Sequence, residues 1–128
     1  MIYTSYFGNR TLTKNSANWS FFSIARGAPA WFYHPYIHLN ALYNMVAPSA
    51  HLLRGYKDGT INEADYLLIY KEALNKLSVD DLLRFVYSRT SPNTEPVFLC
   101  WEKPPEFCHR YPFGGYISVN GGVEVVEF

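Results

Sequence analysis

Val97-Phe98-Leu99-Cys100-Trp101-Glu102-Lys103-Pro104-Pro105-Glu106-Phe107-Cys108-His109-Arg110 is the stretch on which the reading of this chain turns. It opens as an uninterrupted apolar run, the pattern of a strand covered on both faces of a parallel sheet. It then gathers both cysteines of the protein, one of its 4 histidines, two glutamates and an arginine. Open α/β sheets hold their ligands beyond the carboxyl ends of their strands. The expectation is therefore an α/β fold with residues 97–101 central and a site at their carboxyl edge.

The segments on either side agree. Residues 2–7 are β-branched and aromatic and stop at Gly8-Asn9, a first strand. Residues 10–18 are polar and turn-like. Residues 19–25 read as a second strand, punctuated by Arg26-Gly27-Ala28-Pro29. Leu39, Leu42, Tyr43 and Val46 recur at helical spacing, predicting a helix that ends before Pro48. Ser49 is placed to cap a short turn through Leu53. Thr60-Ile61-Asn62-Glu63 is a capping-box pattern that opens a helix to Leu77, with Leu67, Tyr70, Leu74 and Leu77 on one face. Ser78-Val79-Asp80-Asp81 opens the next, with a stripe of Val79, Leu82, Leu83, Val86 and Tyr87, and Ser91-Pro92-Asn93 stops it. A last helix over 107–118 starts near Cys108, and Asn120-Gly121-Gly122 turns the chain into a fourth strand over 123–128. This order gives one α/β domain over 1–128, a small, mostly parallel sheet covered by helices.

Composition narrows the partners. Charged residues are 17% against a usual share of roughly 25%. The 11 basic and 11 acidic side chains cancel, so the chain lacks the basic excess that duplex nucleic acid requires. No apolar run approaches the ~18 residues of a membrane span, and the first residues show no signal peptide. A cytoplasmic protein is expected (in the host's cytoplasm if a phage encodes it), with both cysteines as thiols. No cofactor and no membrane partner are expected.

Cys100 ends the central strand, and Glu102, two residues on, shares its side if the strand continues. Pro104-Pro105 would fix the loop. Cys108, His109 and Arg110 then fall at a helix N-terminus, where N–H groups and the helix dipole favour an anion and Arg110 adds a forked donor. A thiol in that setting gains thiolate character. Four readings follow: a structural loop held by a Glu102–Arg110 ion pair; an anion-binding pocket; an enzyme drawing on Cys100, Glu102, Cys108 and His109; and a metal site. The Cys-x7-Cys-His spacing lacks the paired short loops of structural zinc sites, so no metal is expected. Arg26 follows a strand and could reach the same pocket, while Thr4, Ser5 and Tyr6 could line its mouth. His34, His38 and His51 show no ligand spacing beyond His34-x3-His38. Trp31, Phe32, Tyr33 and Tyr36 form an aromatic cluster suited to core cover or to stacking on a base. With 11 tyrosines a protein-interaction module is a further alternative.

Cys-x-Glu followed by a short loop and Cys-His-Arg after an apolar strand resembles the family called domain of unknown function 488. Ile2-Tyr3-Thr4-Ser5-Tyr6 looks like that family's first strand. Ile24-Ala25-Arg26 with Pro29 looks like its Asp-Val-Arg segment, and Tyr56-Lys57-Asp58-Gly59-Thr60-Ile61 like its entry into a helix. The resemblance covers nearly the whole chain. It implies an α/β fold and a shared pocket, with no activity generally assigned. Where many members carry Asp, this chain has Ile24, which removes a carboxylate from the pocket. Small members of similar size are carried by phages, which implies a possible role in sequestering a host nucleotide immune signal. The leading expectation is a pocket of Tyr6, Arg26, Cys100, Glu102, Cys108, His109 and Arg110 that holds a small phosphate-bearing or nucleotide-like ligand. A thiol/His-dependent enzyme on a nucleotide-like substrate is the alternative.

Overall fold

In a computed structural model that describes residues 1–103 and 106–128, the chain is a single α/β domain around a five-stranded parallel sheet. The elements run β1 (Ile2–Tyr6), α1 (Arg10–Lys14), a 3-10 turn (Ser16–Asn18), β2 (Trp19–Ser23), β3 (Tyr36–His38), α2 (Leu39–Leu42), α3 (Ala50–Asp58), α4 (Glu63–Leu74), α5 (Val79–Arg89), β4 (Glu95–Cys100), α6 (Arg110–Gly121) and β5 (Val125–Glu127). The spatial order is β3-β2-β4-β1-β5, with every neighbouring pair parallel. β4 is central, as its apolar run predicts. Val97, Phe98 and Leu99 are fully buried.

Strand alternation assigns the two faces. Phe98 packs on Phe113 of α6, and Phe22 lies beside Phe98, so this face meets the helix. On the opposite face Phe21 meets Phe32, and Phe7 meets Phe32 and Trp101, so the connection from β2 to β3 covers that side. Cys100 has the parity of Phe98 and lies on the α6 face.

The helix starts follow their caps. Ser49 accepts from the Leu52 N–H, Asn62 from Asp65 and Ser78 from Asp81. Gly59 and Gly122 close α3 and α6 with φ of 84° and 65°, a left-handed backbone that glycine adopts without strain.

Several expectations are corrected. Residues 10–18 are not merely turn-like: Asn9 caps α1 by accepting from Leu12 N, and burial of Leu12 holds that turn in place. The helix expected through Val46 is a single turn ending at Leu42. Leu42 is exposed, and Asn40 instead accepts the Ala47 N–H, which diverts the chain. α4 stops at Leu74 and buries Tyr66, Tyr70 and Leu74, leaving Leu67 exposed. Its cap is Asn62, because the Thr60 hydroxyl is taken by Asp58. α6 begins at Arg110 and the last strand spans only Val125–Glu127. β3 was not expected. Its three residues, preceded by Pro35, carry too little alternation to read, and β2 supplies the pairing. The expected role of Pro104 and Pro105 lies outside the described residues. Among the described residues no helix is long and apolar enough to cross a membrane.

Candidate functional site

The connections after β2 and β4 run to opposite edges of the sheet, so a crevice opens between the carboxyl ends of these neighbours. Cys100 ends β4 there, and Ile24 follows β2 beside it, its N–H donating to Leu99 O at 3.1 Å. The chain returns to this crevice at Cys108 and His109, the residues leading into α6.

Two sulfurs and an imidazole meet in that space. Cys108 Sγ donates or accepts a proton at 2.7 Å from Cys100 Sγ, and His109 Nδ1 lies 3.4 Å from Cys100 Sγ. His109 Nε2 is 2.7 Å from the Ile24 carbonyl. A carbonyl can only accept, so Nε2 carries the proton and Nδ1 faces the sulfurs. Tyr70 stands edge-on to the imidazole at 5.8 Å, with its hydroxyl donating to the Val46 carbonyl. Glu102 lies beyond the strand end yet on the same side, its Oε2 3.5 Å from Cys100 Sγ.

The electrostatics separate the two thiols. Burial acts to raise Cys108, but the neighbouring Cys100 and His109 and the Arg110 backbone N–H outweigh it and bring the group down to about 3. Burial and the neighbouring Cys108 charge push Cys100 far up. Of the two sulfurs, Cys108 is therefore the one favoured to carry a thiolate. Burial first, and then the Cys108 charge, raises Glu102 above the usual carboxylate range.

A hollow of about 310 Å³ opens onto Cys108, His109 and Glu102, walled by Leu53, Tyr56, Lys57, Tyr66, Glu106 and Phe107. Tyr56, Tyr66 and Phe107 touch one another with ring centroids 5.2–5.3 Å apart. Cys108 is the sulfur that borders this space, although the residue is only 2% exposed, and Cys100 is not part of the lining. Cys100 Sγ, Cys108 Sγ and a His109 ring nitrogen also lie within 4.8 Å of one another, a donor set that suits a soft cation. The sulfurs would first have to part, since thiolates on one tetrahedral zinc ion stand about 3.8 Å from each other.

Arg110 does not join this pocket. Its side chain is fully buried, 3.0 Å from Glu127 Oε2, with Nε donating to both Glu127 oxygens at 3.1 and 3.2 Å. It also donates to the Glu102 carbonyl and to Tyr111 Oη, and it lies over the Tyr6 and Tyr111 rings. Burial would lower its pKa, and the bonds and charge of Glu127 more than reverse this. The expected ion pair with Glu102 is thus replaced by one with Glu127, and the expected anion contact is closed because all three guanidinium nitrogens already donate inside the protein. Tyr6 is occupied as the platform under Arg110. Thr4 and Ser5 are buried, bonded to Glu127 and Asn9, and do not line a mouth. Glu127 was not anticipated. Only the register Thr4↔Glu127 between β1 and β5 brings it to Arg110, and the sequence holds no signal of that pairing.

Arg26 is exposed and borders a separate hollow beside α3. His38 lies in β3, its Nε2 donating to the Ala25 carbonyl at 2.8 Å, so it shares no helix face with His34. Of the aromatic cluster, Phe32 is core, while Trp31, Tyr33 and Tyr36 are exposed.

No protein-family model matches this chain, and neither do the curated proteins or the solved structures. The family resemblance rests on the motif residues themselves.

Proposed function

We propose that this protein is a thiol-dependent enzyme acting on a small molecule, with Cys108 as nucleophile. The observation that carries the reading is Cys108 in the wall of a pocket, its sulfur 2.7 Å from a second sulfur that hydrogen-bonds it. A thiolate with a fixed donor and an adjacent imidazole is the arrangement nucleophilic sulfur chemistry needs. Cys108 Sγ forms a bond to the electrophilic centre, and the leaving group departs with its electron pair and takes a proton from water. The Glu102 carboxylate then accepts a proton from the water that cleaves the sulfur–substrate bond. Cys100 and His109 hold the sulfur in place and balance its charge.

The binding-only reading, a phosphate-bearing ligand held unchanged, has less support. Its main cation, Arg110, is committed to Glu127. A phage role in sequestering a nucleotide signal belongs to that reading and is separated from catalysis by whether a bound ligand is recovered intact.

Iodoacetamide at pH 6 tests the proposal. Cys108 should be alkylated at a rate close to that at pH 8, and Cys108→Ser should remove the modified peptide. Cys100→Ser should slow the reaction at pH 6 more than at pH 8. A Cys108 that reacts only near the ordinary cysteine pKa of about 8.5 overturns the assignment.

A further inference from the structure

The thiolate pocket shares a wall with a second hollow of about 430 Å³, lined by Arg26, Ala50, Leu53, Arg54, Lys57 and Asp58. Leu53 and Lys57 border both spaces, so the two are continuous along one side of α3. Arg54 and Lys57 lie three residues apart and present their charges on neighbouring positions of that helix. Arg26 reaches the same rim from the connection after β2, the strand whose end forms the crevice. Among the described residues none of these cations makes an ion pair; the pairs present are Arg84–Asp81 and Arg110–Glu127. The one acid of the rim, Asp58, already accepts from the Thr60 N–H and hydroxyl at 3.0 and 2.7 Å.

Scattered surface cations are ordinarily just solvated. Here three unpaired ones converge beside a nucleophile in a chain whose net charge is zero. We propose that Arg26, Arg54 and Lys57 form the subsite for the anionic end of the substrate. The substrate is then a small electrophile carrying a phosphate or carboxylate, whose reacting centre enters the hollow at Cys108 while its anion stays at the rim. Lys57, on the shared wall, steers it from one to the other. This inference rests on Cys108 being the nucleophile. It moves the anion site expected at Arg110 to a different set of cations.

Two alkylating agents of the same size and opposite character read the subsite. Iodoacetate carries a carboxylate and iodoacetamide does not, and in both the Cys108 sulfur displaces iodide to form a sulfur–carbon bond. A thiolate without nearby cations repels iodoacetate. The wild-type protein should instead favour it relative to iodoacetamide. The variant Arg26→Ala/Arg54→Ala/Lys57→Ala should lower that ratio by about tenfold, the ratio cancelling any change that Lys57, on the pocket wall, makes to both rates. Equal ratios in the two proteins overturn the subsite and leave the nucleophile standing. If Cys108 reacts with neither reagent, the nucleophile falls, and a second measurement still decides the subsite. Inorganic phosphate at constant ionic strength should raise the wild-type melting temperature and not that of the triple variant. No shift in the wild type, or equal shifts in both, rejects the anion subsite. Because the three side chains stand on a solvent-facing rim, the triple variant should melt close to the wild type without phosphate, which checks its fold.

Discussion

Cys108 and Arg110 are two residues apart, and the fold treats them in opposite ways. Arg110 turns toward β1 and β5, where Glu127, the Glu102 carbonyl and Tyr111 engage all three guanidinium nitrogens and the Tyr6 ring lies against its face. Cys108 turns toward β2 and β4, where Cys100 and His109 hold its charge but a hollow lies in front of it. One side is a completed ion pair that ties the last strand to the last helix. The other is a sulfur, 2% exposed, that borders a hollow. A charge fully matched inside a protein belongs to stability, whereas one matched on one side and bordering a hollow on the other is placed to react. The functional residue is therefore the less conspicuous of the two in the sequence.

The largest test of this contrast is Arg110→Ala. It leaves Glu127 without its partner and opens a cavity beneath Tyr6, and should cost ~3 kcal/mol. This is the lower end of the range for buried pairs because the Glu127 side chain keeps 32% of its exposure. Urea unfolding of the variant measures it, and a loss below about 1 kcal/mol would show that Arg110 is not the clamp. Tyr70→Phe comes next. It strands the Val46 carbonyl in the interior while keeping the ring against His109, so about 2 kcal/mol of stability should go without a change in Cys108 alkylation. A changed alkylation rate would mean that the hydroxyl tunes the sulfur.

The third test is pH dependence. Cys108 has a depressed pKa in the fold, so the stability it contributes is present above its unfolded value near 9 and is lost as pH falls toward its folded value near 3. The stability difference between wild type and Cys108→Ser should therefore widen as pH rises from 6 to 8, by at most about 1.4 kcal/mol per pH unit, the slope of one proton. A constant difference would remove the thiolate. Glu102→Gln is the smallest. A raised carboxyl favours the fold below its unfolded value, and that contribution is lost as pH rises through the folded one. The substitution should be neutral in acid and stabilising by about 0.5 kcal/mol or less at pH 7, since the carboxyl is only half-buried and water screens it. A clear loss at pH 7 would indicate an ionised Glu102 with a partner.

Local chemistry was legible where one segment carried all of it. The caps at Ser49 and Ser78, the stripe of Val79, Leu82, Leu83 and Val86, and the apolar run of β4 each follow from neighbours in sequence. So does the meeting of Cys100, Glu102, Cys108 and His109, because the strand end and helix start that position them are eleven residues apart or fewer. β3 was not legible, because a three-residue edge strand is selected by its partner and not by its own pattern. The length of α2 was missed for a similar reason. A helical stripe over residues 39–46 loses to the bond from Ala47 to Asn40, which no periodicity shows.

The sequence by itself determined the fold class, the central strand and the neighbourhood of the site, since hydrophobic pattern and short-range spacing act before any long contact forms. Only the tertiary structure decided which charge serves which purpose. Arg110 meets Glu127 because β5 pairs with β1, joining residues 17 apart. Arg26 reaches the rim of α3 because β2 ends beside it. Ion pairing depends on separations of a few ångströms, and those are set by how strands are ordered in the sheet, not by how residues are ordered in the chain.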